Sequence, residues 1–362
     1  MNASKEHYDT IVIGGGQAGL AVGHYLAKTD QRFVVLDGQA RIGDAWRKRW
    51  DSLHLFTPAR LNGLPGMDFP APAHSFPTKD EMADYLEAYA ARFELPVRTG
   101  SWVESLEHNG NHFVVRGGER RYEADNVVVA MANYQKPKTP DFAEEFDPGI
   151  RQLHSKDYRN SAQLKPGGVL VVGVGNSGAE IAMEVVKYQP TWLAGEPPGV
   201  IPVRVESLIA RYLFFPLVLP FVGKYLLSMS TPIGRRARPK MMSSGDPLFR
   251  TKPDDLVDAG VQRLPRMTGV KDGKPLMADG QSPEVSNVIW ATGFKADFSW
   301  IQLPVFDDDG YLPQHKRGIV PAQPGLYFVG LKFLYSQASS VIAGVGRDAQ
   351  YVTQTISRRA SG

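Results

Sequence analysis

Two glycine-rich turns carry most of the chemistry legible in this 362-residue chain. Gly14-Gly15-Gly16-Gln17-Ala18-Gly19 and Gly173-Val174-Gly175-Asn176-Ser177-Gly178 share G-x-G-x-x-G spacing, and each stands directly behind an apolar run. In such a turn the first glycine permits the tight bend and the second lets backbone approach a pyrophosphate. The third allows close helix–strand packing, and the helix N-terminus offers unpaired N–H groups to the anion. A single turn of this kind is a weak signal. Two in the same strand–turn–helix setting indicate two dinucleotides on one chain, an arrangement suited to passing electrons between them.

The positioning elements are a strand over Tyr8–Ile13, a helix over Gln17–Lys28 and a strand over Phe33–Leu36. That second strand ends at Asp37-Gly38, 18 residues beyond Gly19, where a carboxylate accepts hydrogen bonds from a ribose diol. The later turn has a strand over Gly168–Val172, a helix over Ala179–Lys187 and a strand over Thr191–Ala194, followed by Gly195-Glu196. A 2′-phosphate calls for a cation, a free diol for an acid. Glu196 therefore predicts that NADH is accepted, with Arg204 or Lys187 as the cations for NADPH. In two-nucleotide flavoproteins the amino-terminal site holds FAD, so the second site is assigned to the nicotinamide.

Composition narrows the field. The chain has no cysteine, which excludes disulfide scaffolds, thiolate metal sites and dithiol redox catalysis. A net charge of +3 without a long Lys/Arg run gives no basis for nucleic-acid binding. Met1–Thr10 is polar, unlike a secretory signal, and a cytoplasmic enzyme is expected. No metal site is expected: His108 and His112 flank Asn109-Gly110-Asn111, which spells a hairpin turn.

Longer stretches resemble the class B flavin monooxygenases, the group of flavin-containing monooxygenases, plant YUCCA enzymes and bacterial relatives. Arg41-Ile42-Gly43-Asp44-Ala45-Trp46-Arg47 through Pro58 is similar to the flavin-side loop, with Asp44 replacing a glycine. Phe76-Pro77-Thr78-Lys79-Asp80-Glu81 resembles the YUCCA branch, with Thr78 and Glu81 forming a capping box. His154 and Tyr158 match the second half of the family's identifying motif. Val127–Asn133 stands in the place of its first connection between nucleotide domains, with Ala132 where glycine is usual, and Val288–Phe294 matches the second in full. The resemblance implies two Rossmann-like α/β domains: a discontinuous FAD domain (residues 1–154 and 286–362) and an inserted NAD(P)H domain (155–285).

It also implies the chemistry. NAD(P)H reduces FAD, and a C4a-(hydro)peroxyflavin then oxygenates a small thioether, amine or ketone with O2. Trp46 and Arg47 are candidates for the flavin side, and Ala291, Thr292, Gly293, Gln337 and Ala338 for the cofactor-facing connections. A helix starting at Ser336–Ser340 would direct its positive end at the flavin. Where better-known members carry an asparagine this chain has Pro58, leaving Asn62 and His54 as catalytic candidates. Alternatives are an NAD(P)H oxidase or reductase without oxygen transfer, and a redox-sensing flavoprotein.

The apolar run 208–229 contains Arg211, Pro216, Pro220 and Lys224, which preclude an uninterrupted 20-residue span. Three readings stay open: helices lining a substrate channel, a monotopic membrane contact, and core or homodimer interface. The basic stretch Arg235-Arg236-Ala237-Arg238-Pro239-Lys240 follows closely.

Overall fold

A computed structural model describes residues 6–306 and 313–360; Met1–Lys5 of the polar amino-terminal segment lie outside the described residues. Each apolar run behind a glycine turn forms a central strand of its own sheet. In the first, Glu6–Ile13 lies parallel between Phe33–Leu36 and Arg120–Val129. Val97–Arg98 extends one side, and the antiparallel strands Phe113–Gly117 and Ser105–His108 the other. The long strand Arg120–Val129 changes partner along its length. Its first half pairs with Phe113–Gly117, and its end pairs in parallel with Leu326–Phe328, so the carboxy-terminal chain re-enters this sheet.

The second sheet is wholly parallel, in the order Gln262–Leu264, Thr191–Ala194, Val169–Val172, Asn287–Trp290, Arg151–His154. Val169, Leu170 and Val171 are fully buried, as suits strands covered on both faces. The two Rossmann-like units are thus confirmed, with a shift in where they meet. Strands 151–154 and 287–290 belong to the second sheet, although the sequence placed them with the first. A short apolar strand buried on both faces reads the same in either sheet.

The two crossings between sheets run side by side, Lys136–Pro137 pairing antiparallel with Phe294–Lys295. The Lys138 N–H donates to the Gly293 carbonyl at 2.9 Å, and Thr292 donates its hydroxyl to the Lys138 carbonyl. His154 Nε2 donates to the same Gly293 oxygen at 3.0 Å, while its Nδ1 accepts from the Lys156 N–H at 3.1 Å. Burial pushes the His154 pKa down, so this ring is a neutral brace across the hinge.

Three further elements shape the site. Helix Lys79–Arg92 starts in the Thr78–Glu81 capping box. Its Tyr85 hydroxyl accepts from the Leu64 N–H at 2.6 Å and donates to the Met67 carbonyl at 2.7 Å, fixing the loop before it. Helix Ile342–Ala360 packs on Gln17–Leu26 but begins later than predicted, after a 3-10 turn over Gln337–Ser340. There the Ser339 hydroxyl accepts from the Tyr335 and Ser336 N–H groups, a local bond that competes with an α-turn.

The third element is a continuous helix over 208–226, mostly in the wide π form. The wider turn carries the chain past Pro216, whose ring would obstruct an α-helix, while Pro220 falls in the short α stretch Leu219–Phe221. Its outer face is exposed, which removes the reading as plain core. Among the described residues no helix is long and apolar enough to cross a membrane. The Asn109–Asn111 hairpin forms as expected, and His112 Nδ1 meets Asp125 Oδ1 at 2.8 Å beside His7.

Candidate functional site: two glycine cradles

The two turns are built alike. Gly14 and Gly173 have φ of +110° and +109°, a region that favours glycine. A Cβ on Gly14 would lie 2.9 Å from the Ala130 carbonyl oxygen, and one on Gly173 would overlap the Ala291 carbonyl. Both first glycines therefore sit against the crossing segments. The third glycines, Gly19 and Gly178, lie so close to the carbonyls of Gly14 and Gly173 that a side chain would overlap them.

The second glycines differ. A Cβ on Gly16 or Gly175 would meet no atom within 4 Å. The helices Gln17–Leu26 and Asn176–Val185 begin there without any side-chain cap, so their first N–H groups face that open space. Open space at the second glycine, in front of an uncapped helix N-terminus, fits the close approach of a pyrophosphate. Both cradles pass this test for a dinucleotide.

At the first cradle the buried Asp37 carboxylate lies against Gly15, whose Cβ would stand 2.6 Å from Asp37 Oδ2. Burial raises the Asp37 pKa, while the Gln39 and Gly15 N–H groups work against that rise. The sequence reading gave roles to Gly14, Gly16 and Gly19 and passed over Gly15. The signal was available, because the second turn has Val174 at that place and no acid to accommodate. Gly38 packs on Trp102, and Ala18 on Gly330, which brings the end of strand Leu326–Phe328 to the cradle.

The loop beyond it holds several expected ligand residues in other work. Arg47 donates to the Ile42 carbonyl at 2.6 Å and to Asp84 at 2.7 Å, with Glu87 at 3.3 Å. This guanidinium bolts the loop to helix Lys79–Arg92, where the sequence predicted a cofactor contact. Trp46 is half-buried against the core. Asn62 is fully buried: its Oδ1 accepts from the Thr57 hydroxyl at 2.6 Å, and its Nδ2 donates to the Thr57 and Pro58 carbonyls at 2.9 and 3.3 Å. Its amide is saturated within the turn, so it positions Thr57–Pro58. His54 Nδ1 donates to the Ser52 carbonyl at 3.0 Å, the tautomer in which Nε2 is the acceptor nitrogen.

At the second cradle Asn176 is likewise engaged, donating to the Pro247 carbonyl and accepting from the Phe249 N–H, both at 3.0 Å. Ser177 follows in the first helical turn. Arg204, expected to reach the nucleotide, is exposed and bound to Asp255 at 2.8 Å. Glu196 is exposed at the strand end. The cation nearest that end was missed by the sequence reading: Arg263, on the neighbouring strand, donates to the Gly195 carbonyl at 3.2 Å. It lies 68 residues beyond Gly195 in the chain, and only the sheet order brings it there.

The cradles share a border. Phe56, beyond the first cradle, stacks on Phe249 at 4.7 Å, and Phe249 is tied to Asn176 of the second. Tyr158 donates to Glu184 at 2.9 Å, on the second cradle's helix, and Ser52 donates to the same carboxylate. Gln337 and Ala338 lie under the end of helix 208–226, the Gln337 N–H donating to the Leu227 carbonyl at 2.9 Å. Glu180, on the second helix, is pushed up to about 7 by burial, with Arg250 pulling the other way.

Comparison with known proteins gives consistent relatives. Residues 11–191 match the family described as pyridine nucleotide-disulphide oxidoreductase. The chain is 39% identical over 350 residues to an uncharacterized oxidoreductase CzcO-like of Geobacillus kaustophilus, covering 96% of this chain and 98% of that protein. It is 26% identical to the probable indole-3-pyruvate monooxygenase YUCCA3 of Arabidopsis thaliana, over 96% of this chain and 86% of the plant protein. The solved flavin-containing monooxygenase of Stenotrophomonas maltophilia superposes with a TM-score of 0.76 at 27% identity, covering 98% of this chain and 99% of that one.

Proposed function

The chain belongs to the pyridine nucleotide-disulphide oxidoreductase family and is a class B flavin-dependent monooxygenase-like oxidoreductase; on that premise we propose that it oxygenates a small organic substrate with O2, using FAD and NADH or NADPH. The observation that carries this reading is the pair of matched cradles, each with open space at its second glycine and an uncapped helix behind it. The lack of cysteine removes the dithiol alternative on the same plan.

FAD would lie along Gly14, Gly16, Gln17, Ala18 and Gly19, with Asp37 on its ribose and Gly38 and Trp46 alongside. The nicotinamide cofactor would lie along Gly173, Gly175, Ser177 and Gly178, beside Ala291–Gly293. Bound there, the flavin supplies hydride acceptance and oxygen chemistry that no side chain of this protein offers. The protein's own contribution is orientation, water exclusion and proton handling. Asp37 accepts from the diol, the two helix N-termini hold the pyrophosphates, and the His154 brace keeps the crossings in register. His54 Nε2 is our candidate proton acceptor. Asn62 holds the Thr57–Pro58 turn. Nucleotide choice rests on the contest between Glu196, which favours NADH, and Arg263, which favours a 2′-phosphate.

A second reading, an NAD(P)H oxidase, draws on one observation. With Pro58 lacking a side-chain donor and Asn62 saturated, this turn presents no free amide to an oxygen species. The two readings part in one experiment: the purified enzyme is supplied with NADH, O2 and either a thioether or a ketone. Sulfoxide or ester matching the NADH consumed supports oxygenation, and the product identifies S-oxygenation or Baeyer–Villiger insertion. Hydrogen peroxide alone, with both probes and with an amine, supports the oxidase.

A further inference from the structure

Helix 208–226 turns an apolar face to solvent. Ile209, Leu213, Leu217, Phe221 and Tyr225 recur every four residues and are each more than half exposed, as is Tyr212 beside them. The opposite face is buried: Ala210 and Phe215 pack with Leu61 and Phe76, and Gly223 lies over Gln337 and Ala338. The exposed side chains are thus not a poorly packed core. They form a contiguous stripe of the kind that marks an interaction surface.

Charge identifies the partner. From Ser207 to Gly245 the chain has six Lys/Arg and no Asp/Glu, a local charge of +6. The adjoining helix Pro232–Ser243 exposes Arg235, Arg236 and Lys240. A second copy docking by two-fold symmetry would bring this patch against itself, its six cations facing only the border carboxylates Glu206 and Asp246, the latter already paired with Lys332. An anionic bilayer surface satisfies both features at once, burying the apolar stripe at the acyl boundary and meeting the cations with phosphates. Since no helix among the described residues is long and apolar enough to span, the contact is with one leaflet.

We propose that helix 208–226, flanked by helix Pro232–Ser243, docks this protein on anionic phospholipid membrane. The stripe lies on the far side of the helix from Leu61, which belongs to the Thr57–Asn62 turn.

The test is co-sedimentation of the full-length flavin-loaded protein with vesicles of phosphatidylglycerol and phosphatidylcholine, against phosphatidylcholine alone. Binding to the anionic vesicles and release by salt are expected. Leu217→Glu/Phe221→Glu should weaken binding at least tenfold. Neutralising three cations in Arg235→Gln/Arg236→Gln/Lys240→Gln should weaken it roughly a hundredfold. Flavin content and melting temperature should stay at wild-type values, because all five side chains are exposed. Absence of anionic-vesicle binding, or equal binding by the variants, overturns the proposal. So does a wild-type dimer in sedimentation equilibrium that Leu217→Glu/Phe221→Glu converts to monomer, because the face would then belong to a second copy.

Discussion

Gly175→Ala separates a ligand-facing glycine from a packing glycine. Gly175 has φ −78° and ψ 178°, extended backbone that alanine adopts without strain, and its Cβ would meet nothing within 4 Å. Fixing the unfolded chain favours alanine by about 0.4–1 kcal/mol, and the poorer N-cap offsets a similar amount, so folding stability should change by less than about 1 kcal/mol. The new methyl, however, fills the space assigned to a pyrophosphate. Losing one charge-assisted N–H bond, about 1.5–3 kcal/mol, raises the nicotinamide dissociation constant roughly ten- to hundredfold. Gly178→Ala should behave oppositely. Its Cβ overlaps the Gly173 carbonyl, rigid backbone that cannot swing aside, so overpacking should cost about 1–3 kcal/mol or more. Thermal melts and NADH titrations of the flavin-loaded variants read both effects. An unchanged NADH affinity in Gly175→Ala, or a melt as depressed as that of Gly178→Ala, would refute the cradle argument.

Other outcomes follow from the same geometry. Asn62→Ala should destabilise the fold by about 1–3 kcal/mol, because it strands the Thr57 hydroxyl and two carbonyls in a buried turn; chemical denaturation measures it. Glu196→Arg should raise kcat/KM for NADPH relative to NADH, and Arg263→Leu should lower it; an unchanged ratio in both would show that neither faces the ribose. Glu180 holds a proton up to about pH 7 in the folded state, because burial disfavours its charge, whereas the unfolded chain releases it near the ordinary 4.5. The associated stability is complete below pH 4.5 and lost as pH rises through 7, so wild type should lose melting temperature relative to Glu180→Gln across that window.

What the sequence revealed depended on how local the signal was. Both glycine turns, Asp37 and the Thr78–Glu81 box are contiguous patterns whose geometry follows from a few neighbouring residues, and each could be read directly. Arg263 could not, because only sheet order places it beside Gly195. The internal partners of the Arg47, Asn62, Asn176 and Arg204 side chains were not legible for a related reason: residue type shows what a group can bind, but not that a neighbour already binds it. The sheet boundary at 151–154 was ambiguous, since a buried strand carries no label of its partner. Helices over 208–226 were among the readings of that run, but their fusion into one wide π-form helix through two prolines was not legible.

The central claim is that one chain carries FAD in the first cradle and takes its electrons from a nicotinamide in the second. Anaerobic titration with NADH, followed by flavin absorbance, tests it without knowledge of the substrate. The account predicts yellow wild-type protein bleached by one equivalent of NADH, colourless Gly16→Val, and Gly175→Val that is yellow yet resists bleaching. Colourless wild type, normal flavin in Gly16→Val, or Gly175→Val bleached at the wild-type rate would contradict it.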